Sequence, residues 1–111
     1  MANQWGDGEL KYVEVIATAD GQNIIVAAAA GKRVKVIGYV LTVTAAAQQL
    51  VVENTGGTNL AQFSLGVNGG VSYAGSYEAP AFQTILGEGL AVTNPAGVDT
   101  YGHFTYLLLD R

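Results

Sequence analysis

The chain has one histidine, His103, within the run TYGHFTYLLL at residues 100–109. Imidazole is the side chain best suited to moving protons near neutral pH. As a general base it needs an oriented carboxylate and a nucleophile within hydrogen-bond reach. Asp99 and neighbouring Ser or Thr residues could supply both, but no spacing in the sequence brings them to it. On strand periodicity His103 shares a face with Tyr101, Thr105, Leu107 and Leu109, with Phe104, Tyr106 and Leu108 opposite. The preferred reading is a strand residue at a surface or interface.

The carboxylates are scattered. Asp7 and Glu9 flank Gly8, which suits at most a weak cation site, because a calcium loop needs several further oxygen ligands at fixed positions and none follow. Glu88 lies between Gly87 and Gly89. That arrangement could approach a ligand closely, but a turn that needs glycine conformations is the simpler account. No phosphate-loop, HExxH, GxSxG or zinc pattern occurs, and the chain has no cysteine. Neither disulfides nor thiolate metal sites are therefore available. The reading is a non-enzyme with no catalytic residue, metal or cofactor.

Ten aromatic residues remain: Trp5, Tyr12, Tyr39, Phe63, Tyr73, Tyr77, Phe82, Tyr101, Phe104 and Tyr106. Aromatics on a β surface can stack on bases or sugars. Nucleic acid is set aside because no basic run is interleaved with them and the net charge is −4. Carbohydrate binding stays open beside the commoner uses, core packing and subunit contact.

The elements that must position these residues read as strands. Glycines cluster at 56–57, 69–70 and 87–89, between short runs of Val, Ile, Leu, Thr and Tyr. The pattern predicts eight strands, at 10–19, 22–29, 33–44, 48–54, 60–67, 71–77, 89–94 and 99–109. The alanine run 27–30 is assigned to the second strand rather than to a helix, and one helical turn is allowed at 45–48. Asp20-Gly21 is expected to form a two-residue hairpin, Gly31-Lys32 a tight reversal, and 54–59, 68–70 and 94–97 polar turns. The segment 75–88 reads as the longest loop.

At 111 residues the chain is expected to form one domain, 10–111, behind a short N-terminal arm, 1–9. Half the residues are hydrophobic and 13% are charged, about half the usual fraction. The N-terminus lacks a basic segment followed by an apolar one, and no apolar stretch approaches the ~20 residues that span a bilayer. The chain is expected to be made in the cytoplasm, with no membrane partner.

Residues 33–44, RVKVIGYVLTVT, raise a packing question. Val34 and Val36 alternate with Arg33 and Lys35, as on a half-buried strand. After Gly38, however, simple alternation puts Tyr39, Leu41 and Val43 on the face of the two charges. Residues 99–109 are likewise apolar on both faces. A sandwich strand normally presents one face to water. A second apolar face in a chain without helices implies cover by another subunit. The expected contact residues are Tyr39, Leu41, Val43, Tyr101, His103, Leu107 and Leu109.

Three stretches, NIIVAAAAGKRVKVIGYVLTVTA, GEGLAVTN and VDTYGHFTYLLLD, together resemble the small trimeric jelly-roll proteins of tailed bacteriophage particles. The resemblance covers roughly residues 10–109 and consists of glycine positions and strand lengths rather than a catalytic signature. It implies an all-β, eight-stranded antiparallel jelly-roll sandwich that assembles as a homotrimer like tumour-necrosis-factor-type domains. It also implies a virion protein that decorates or cements the outer capsid surface by bridging major capsid protein subunits, without touching nucleic acid. Trp5, Asp7 and Glu9 of the arm would contact the capsid. A tail-fibre or receptor-binding domain and a carbohydrate-binding module are the alternatives.

Overall fold

A computed structural model describes residues 9–110, apart from the side chain of Gln48. Nine strands follow one another: β1 (Glu9–Ala17), β2 (Gly21–Val26), β3 (Arg33–Val43), β4 (Ala47–Asn54), β5 (Asn59–Leu65), β6 (Gly70–Ala74), β7 (Phe82–Gln83), β8 (Leu90–Asn94) and β9 (Thr100–Leu109). Every pairing between them is antiparallel. One sheet has the order β1-β9-β3-β6, with β7 also pairing β3; the other has the order β2-β8-β4-β5.

The ninth strand is β7, two residues inside the segment expected to be a long loop. Phe82 pairs with Val36 and Gln83 with Lys35. Two residues carry no readable alternation, which is why sequence periodicity passes over them. Glu9, assigned to the arm, is the first residue of β1 and pairs with Leu108.

Among the described residues, only one connection between long neighbouring strands is a hairpin, the polar tip 55–58 between β4 and β5. It closes with Asn54 accepting from Gly57 N at 2.8 Å and Asn54 N donating to Thr58 O at 2.9 Å. Asp20-Gly21 is not a hairpin, because β1 and β2 belong to different sheets. It is a corner held by side chains: Asn23 Nδ2 donates to Ala19 O at 2.9 Å, and Asp20 Oδ1 accepts from Gly97 N at 3.0 Å. Gly31 does lie in a turn, closed by Lys32 N donating to Ala29 O at 3.1 Å. Strand β2 stops at Val26, so Ala27–Ala30 are exposed and in neither strand nor helix. Residues 45–48 likewise form no helical turn: a bend at 44–45 leads into β4, which already includes 47 and 48.

The core lies between the sheets. Val15, Ala17, Val34, Val36, Leu41, Val43 and Phe104 face it from the first sheet, and Leu50, Val52, Leu90 and Val92 from the second. Each fully buried side chain of this size contributes roughly 1.5–3 kcal/mol. One β-bulge sets the phase of β3. Val36 pairs with Tyr106 and Gly38 with Thr105, so Ile37 is the extra residue. The bulge turns Tyr39, Leu41 and Val43 back to the face of Val34 and Val36. The face assignment made from simple alternation is therefore corrected: Leu41 and Val43 are fully buried between the sheets.

Strand β9 follows its expected alternation, with Thr100, Phe104 and Tyr106 inward and Tyr101, His103 and Thr105 outward. Gly102 interrupts the inward series. At its φ of +148°, a Cβ would lie 1.8 Å from Val40 O, so only glycine fits where β9 crosses β3.

Candidate interaction surface

The outer face of the β1-β9-β3-β6 sheet carries three cross-strand rows. They run Tyr12–Thr105–Gly38–Ala74, Glu14–His103–Val40–Ser72 and Ile16–Tyr101–Thr42–Gly70. Large apolar side chains remain open to solvent in all three. Tyr12 is 71% exposed, Ile16 58%, Tyr101 39% and Val40 38%. Gly38, Val40, Ala74, His103 and Thr105 line a shallow depression near the middle of this face. Alternation along each strand places these residues on one side, and antiparallel register places the rows side by side.

The other end of the same face is covered by the chain itself. Ile37, Leu107 and Leu109 are buried there and pack with Leu10 and Tyr77. Tyr77 belongs to the loop after β6, which is pinned across the bulge by backbone bonds. Gly75 N donates to Ile37 O, and Ala81 N to Val36 O, both at 2.8 Å. The Lys35 ammonium lies 3.6 Å from the centre of the Tyr77 ring, a cation–π contact.

The seven residues expected to form one contact face are thus divided three ways. Tyr39, Leu41 and Val43 point into the sandwich. Leu107 and Leu109 lie on the outer face but beneath the chain's own cover. Tyr101 and His103 alone are exposed there. Tyr12, Ile16 and Val40 join them and were missed. The signal for the first two was present, since Leu10, Tyr12 and Ile16 give β1 a second apolar face. Val40 was hidden by the bulge. Trp5 and Asp7 lie outside the described residues. Glu9 is exposed and ion-paired with Lys11 at 3.5 Å.

His103 stands opposite Glu14 on one side and Val40 on the other. Asp99, the carboxylate considered as its partner, belongs to the corner before β9, where its N–H donates to Thr44 Oγ1 at 3.2 Å. Among the described residues no group of three or more His, Cys, Asp or Glu could hold a metal ion. No helix there is long and apolar enough to cross a membrane.

Glu88 does structural work in the turn that its flanking glycines suggested. Its Oε1 accepts from Gly56 N at 2.5 Å, while Thr55 Oγ1 accepts from Gly89 N at 3.0 Å. These bonds tie the β4–β5 tip to the turn before β8. Thr84 extends the junction to β3, accepting from Val34 N at 2.9 Å and donating to Glu88 O at 3.0 Å. A Cβ on Gly89 would lie 2.0 Å from Val26 O, so the turn packs backbone against backbone.

Tyr39 anchors an aromatic group at the side of the sandwich. Ring centroids of Phe63, Tyr73, Phe82 and Phe104 lie 5.7–6.3 Å from its own. Burial, with a smaller contribution from the neighbouring Tyr73 phenol, raises the pKa of Tyr39 above the ordinary tyrosine value. Comparison with protein-family models, with curated proteins and with solved structures finds no match to this chain.

Proposed function

We propose that the protein is a structural virion component: a homotrimeric jelly roll that binds the outer surface of a phage capsid and bridges neighbouring capsid subunits. One observation carries the reading. The outer face of the β1-β9-β3-β6 sheet exposes Tyr12, Ile16, Val40 and Tyr101 in adjoining rows, in a chain with few charges. An apolar patch of this kind on a small domain marks a contact surface.

The strand orders β1-β9-β3-β6 and β2-β8-β4-β5 support the jelly-roll part, because the chain changes sheets at nearly every connection. The sequence resemblance to trimeric phage proteins supports the trimer and the shell. Tyr12, Ile16, Val40, Tyr101 and His103 form the subunit contact in this reading, and the arm with Trp5 forms the capsid contact. An interface of about 800 Å² per subunit, ~60% apolar, would contribute about 24 kcal/mol gross at ~25 cal/mol/Å², about 12 from each side. Association costs subtract several kcal/mol from that.

Light scattering on the purified chain tests the assembly. The expected mass is three times the 11.5 kDa of one chain. Tyr101→Glu is expected to give a folded monomer, and a parent chain that is already monomeric would overturn the reading. Co-sedimentation with purified shells, with and without residues 1–9, tests the capsid role. The exposed Tyr12 and Tyr101 rings favour carbohydrate binding as a second reading, and a glycan array with only background signal would remove it.

A further inference from the structure

Residues 1–8 join the sandwich at one end, and the chain presents an uncovered apolar patch at that same end. Strand β1 begins at Glu9, opposite Leu108, and runs from there toward Ile16. Beside Glu9 lie the last residues of β9, the first of β3 and two turns. In one turn Lys32 N donates to Ala29 O at 3.1 Å, with Ala30 and Gly31 at the corner; in the other Glu88 N donates to Ile85 O at 3.0 Å, with Leu86 and Gly87 at the corner. Gly87 N donates to Lys32 O at 2.6 Å and so joins the two turns side by side. Turn corners usually carry glycine, proline or short polar residues. Here Leu86 is 44% exposed and Ile85 53%, and Ala27–Ala30 are exposed next to them.

The N-terminal segment has the side chain and the reach to cover this patch. Residues 1–8, MANQWGDG, contain Trp5, the only tryptophan of the chain. From β1 to the segment 84–87 there are three strand spacings: β1 pairs with β9, β9 with β3, and Thr84 N donates to Val34 O of β3 at 2.8 Å. At ~4.8 Å for each, the crossing is about 14 Å. Trp5 stands four residues before Glu9, and four extended residues also span up to about 14 Å, before the indole itself is counted. A segment on this path passes Leu109 and Arg33, which are paired across β9 and β3. Among the described residues the buried Arg33 Nε has no hydrogen-bond partner, so the path brings main-chain carbonyls to a donor that lacks an acceptor. The exposed Ile16 and Tyr101 lie at the far end of β1 and β9, ~23 Å from Glu9 and beyond this reach.

We propose that in the free chain residues 1–8 cross the ends of β9 and β3 and seat the Trp5 indole on Leu86, Ile85 and Ala30 of the same copy. A large flat ring suits a surface made of alanines and one turn-corner leucine, because it gains area without needing a deep pocket. The seat goes beyond the capsid reading and does not rest on it: a shell that takes Trp5 has to lift it from this patch first.

Because Trp5 is the only tryptophan, its fluorescence reports the seat directly. Docking covers one face of the ring, so acrylamide quenching of the full-length parent is expected to be about twofold weaker than that of Leu86→Asp. Ile16→Asp, at the far end of β1, is expected to quench like the parent, and circular dichroism checks that both variants are folded. A second measurement needs no variant: in the isotope-labelled parent, nuclear Overhauser contacts are expected from the indole protons to the methyl groups of Leu86 and Ile85. Equal quenching of the parent and Leu86→Asp, a larger change from Ile16→Asp than from Leu86→Asp, or indole contacts only to residues elsewhere overturns the proposal. So does quenching that strengthens as the parent is diluted, because Trp5 would then sit on a second copy. Shell binding is read separately by co-sedimentation, so failure of either reading leaves the other standing.

Discussion

The bulge at Ile37 makes two neighbouring substitutions behave in opposite ways. Without it, simple alternation from Val34 and Val36 would place Val40 in the core and Leu41 outside. With it, Leu41 is fully buried and Val40 is 38% exposed. Leu41→Ala is therefore expected to cost about 2–5 kcal/mol, from lost transfer energy and the cavity left between the sheets. Leu41→Asp adds an unpaired carboxylate to the same space, which costs several kcal/mol more. A domain of this size has about 5–15 kcal/mol in hand, so the aspartate variant is expected to be unfolded. A charge at Leu41 thus tests the core, not the subunit contact for which the sequence first suggested it. Val40→Asp loses only part of a side chain's burial, about 1 kcal/mol, and is expected to fold. Urea unfolding followed by circular dichroism, on both variants and the parent, compares them directly. A folded Leu41→Asp beside an unfolded Val40→Asp would refute the inward phase of 39–43. Because Val40 lies on the proposed contact face, the folded Val40→Asp chain is also expected to be monomeric by light scattering.

Gly102→Ala is expected to destabilise by more than about 3 kcal/mol, since its Cβ would meet Val40 O at 1.8 Å; an unchanged melting temperature would show that β9 can move away from β3 there. Glu88→Ala removes the acceptor for Gly56 N and is expected to cost about 1.5–3 kcal/mol, with faster amide exchange at 55–57 than elsewhere. Tyr39 has a raised pKa in the folded chain, so above pH ~10 the unfolded chain loses this proton first. Its contribution is intact below that range and lost as pH rises through it. Melting curves between pH 8 and 11 are expected to fall less steeply for Tyr39→Phe than for the parent.

The strand content could be read directly from the sequence, because Val, Ile and Thr runs broken by paired glycines have few other solutions in water. The same holds for the two faces of 100–109, where strand periodicity sets Tyr101, His103 and Thr105 opposite Phe104 and Tyr106, as in the structure. Local chemistry also located the turn at Gly31, the tip at 55–58 and the structural use of Glu88. What sequence could not give was the phase of β3 past Val36. A bulge changes the face of every later residue, yet Ile37 and Gly38 look ordinary as side chains. The choice of sheet at each connection was also hidden. Asp20-Gly21 has hairpin chemistry, but β1 finds its partner in β9, far along the chain (Glu9 opposite Leu108, Ala17 opposite Thr100), and β2 finds its own in β8. Composition established that little charge is available to cover the surface. Tertiary structure decided which apolar side chains need covering, by folding the Tyr77 loop over Ile37 and Leu107 and leaving Tyr12, Ile16, Val40 and Tyr101 open. The physical reason is that burial is a property of packed sheets and loops, whereas periodicity records only which way a residue points within its own strand.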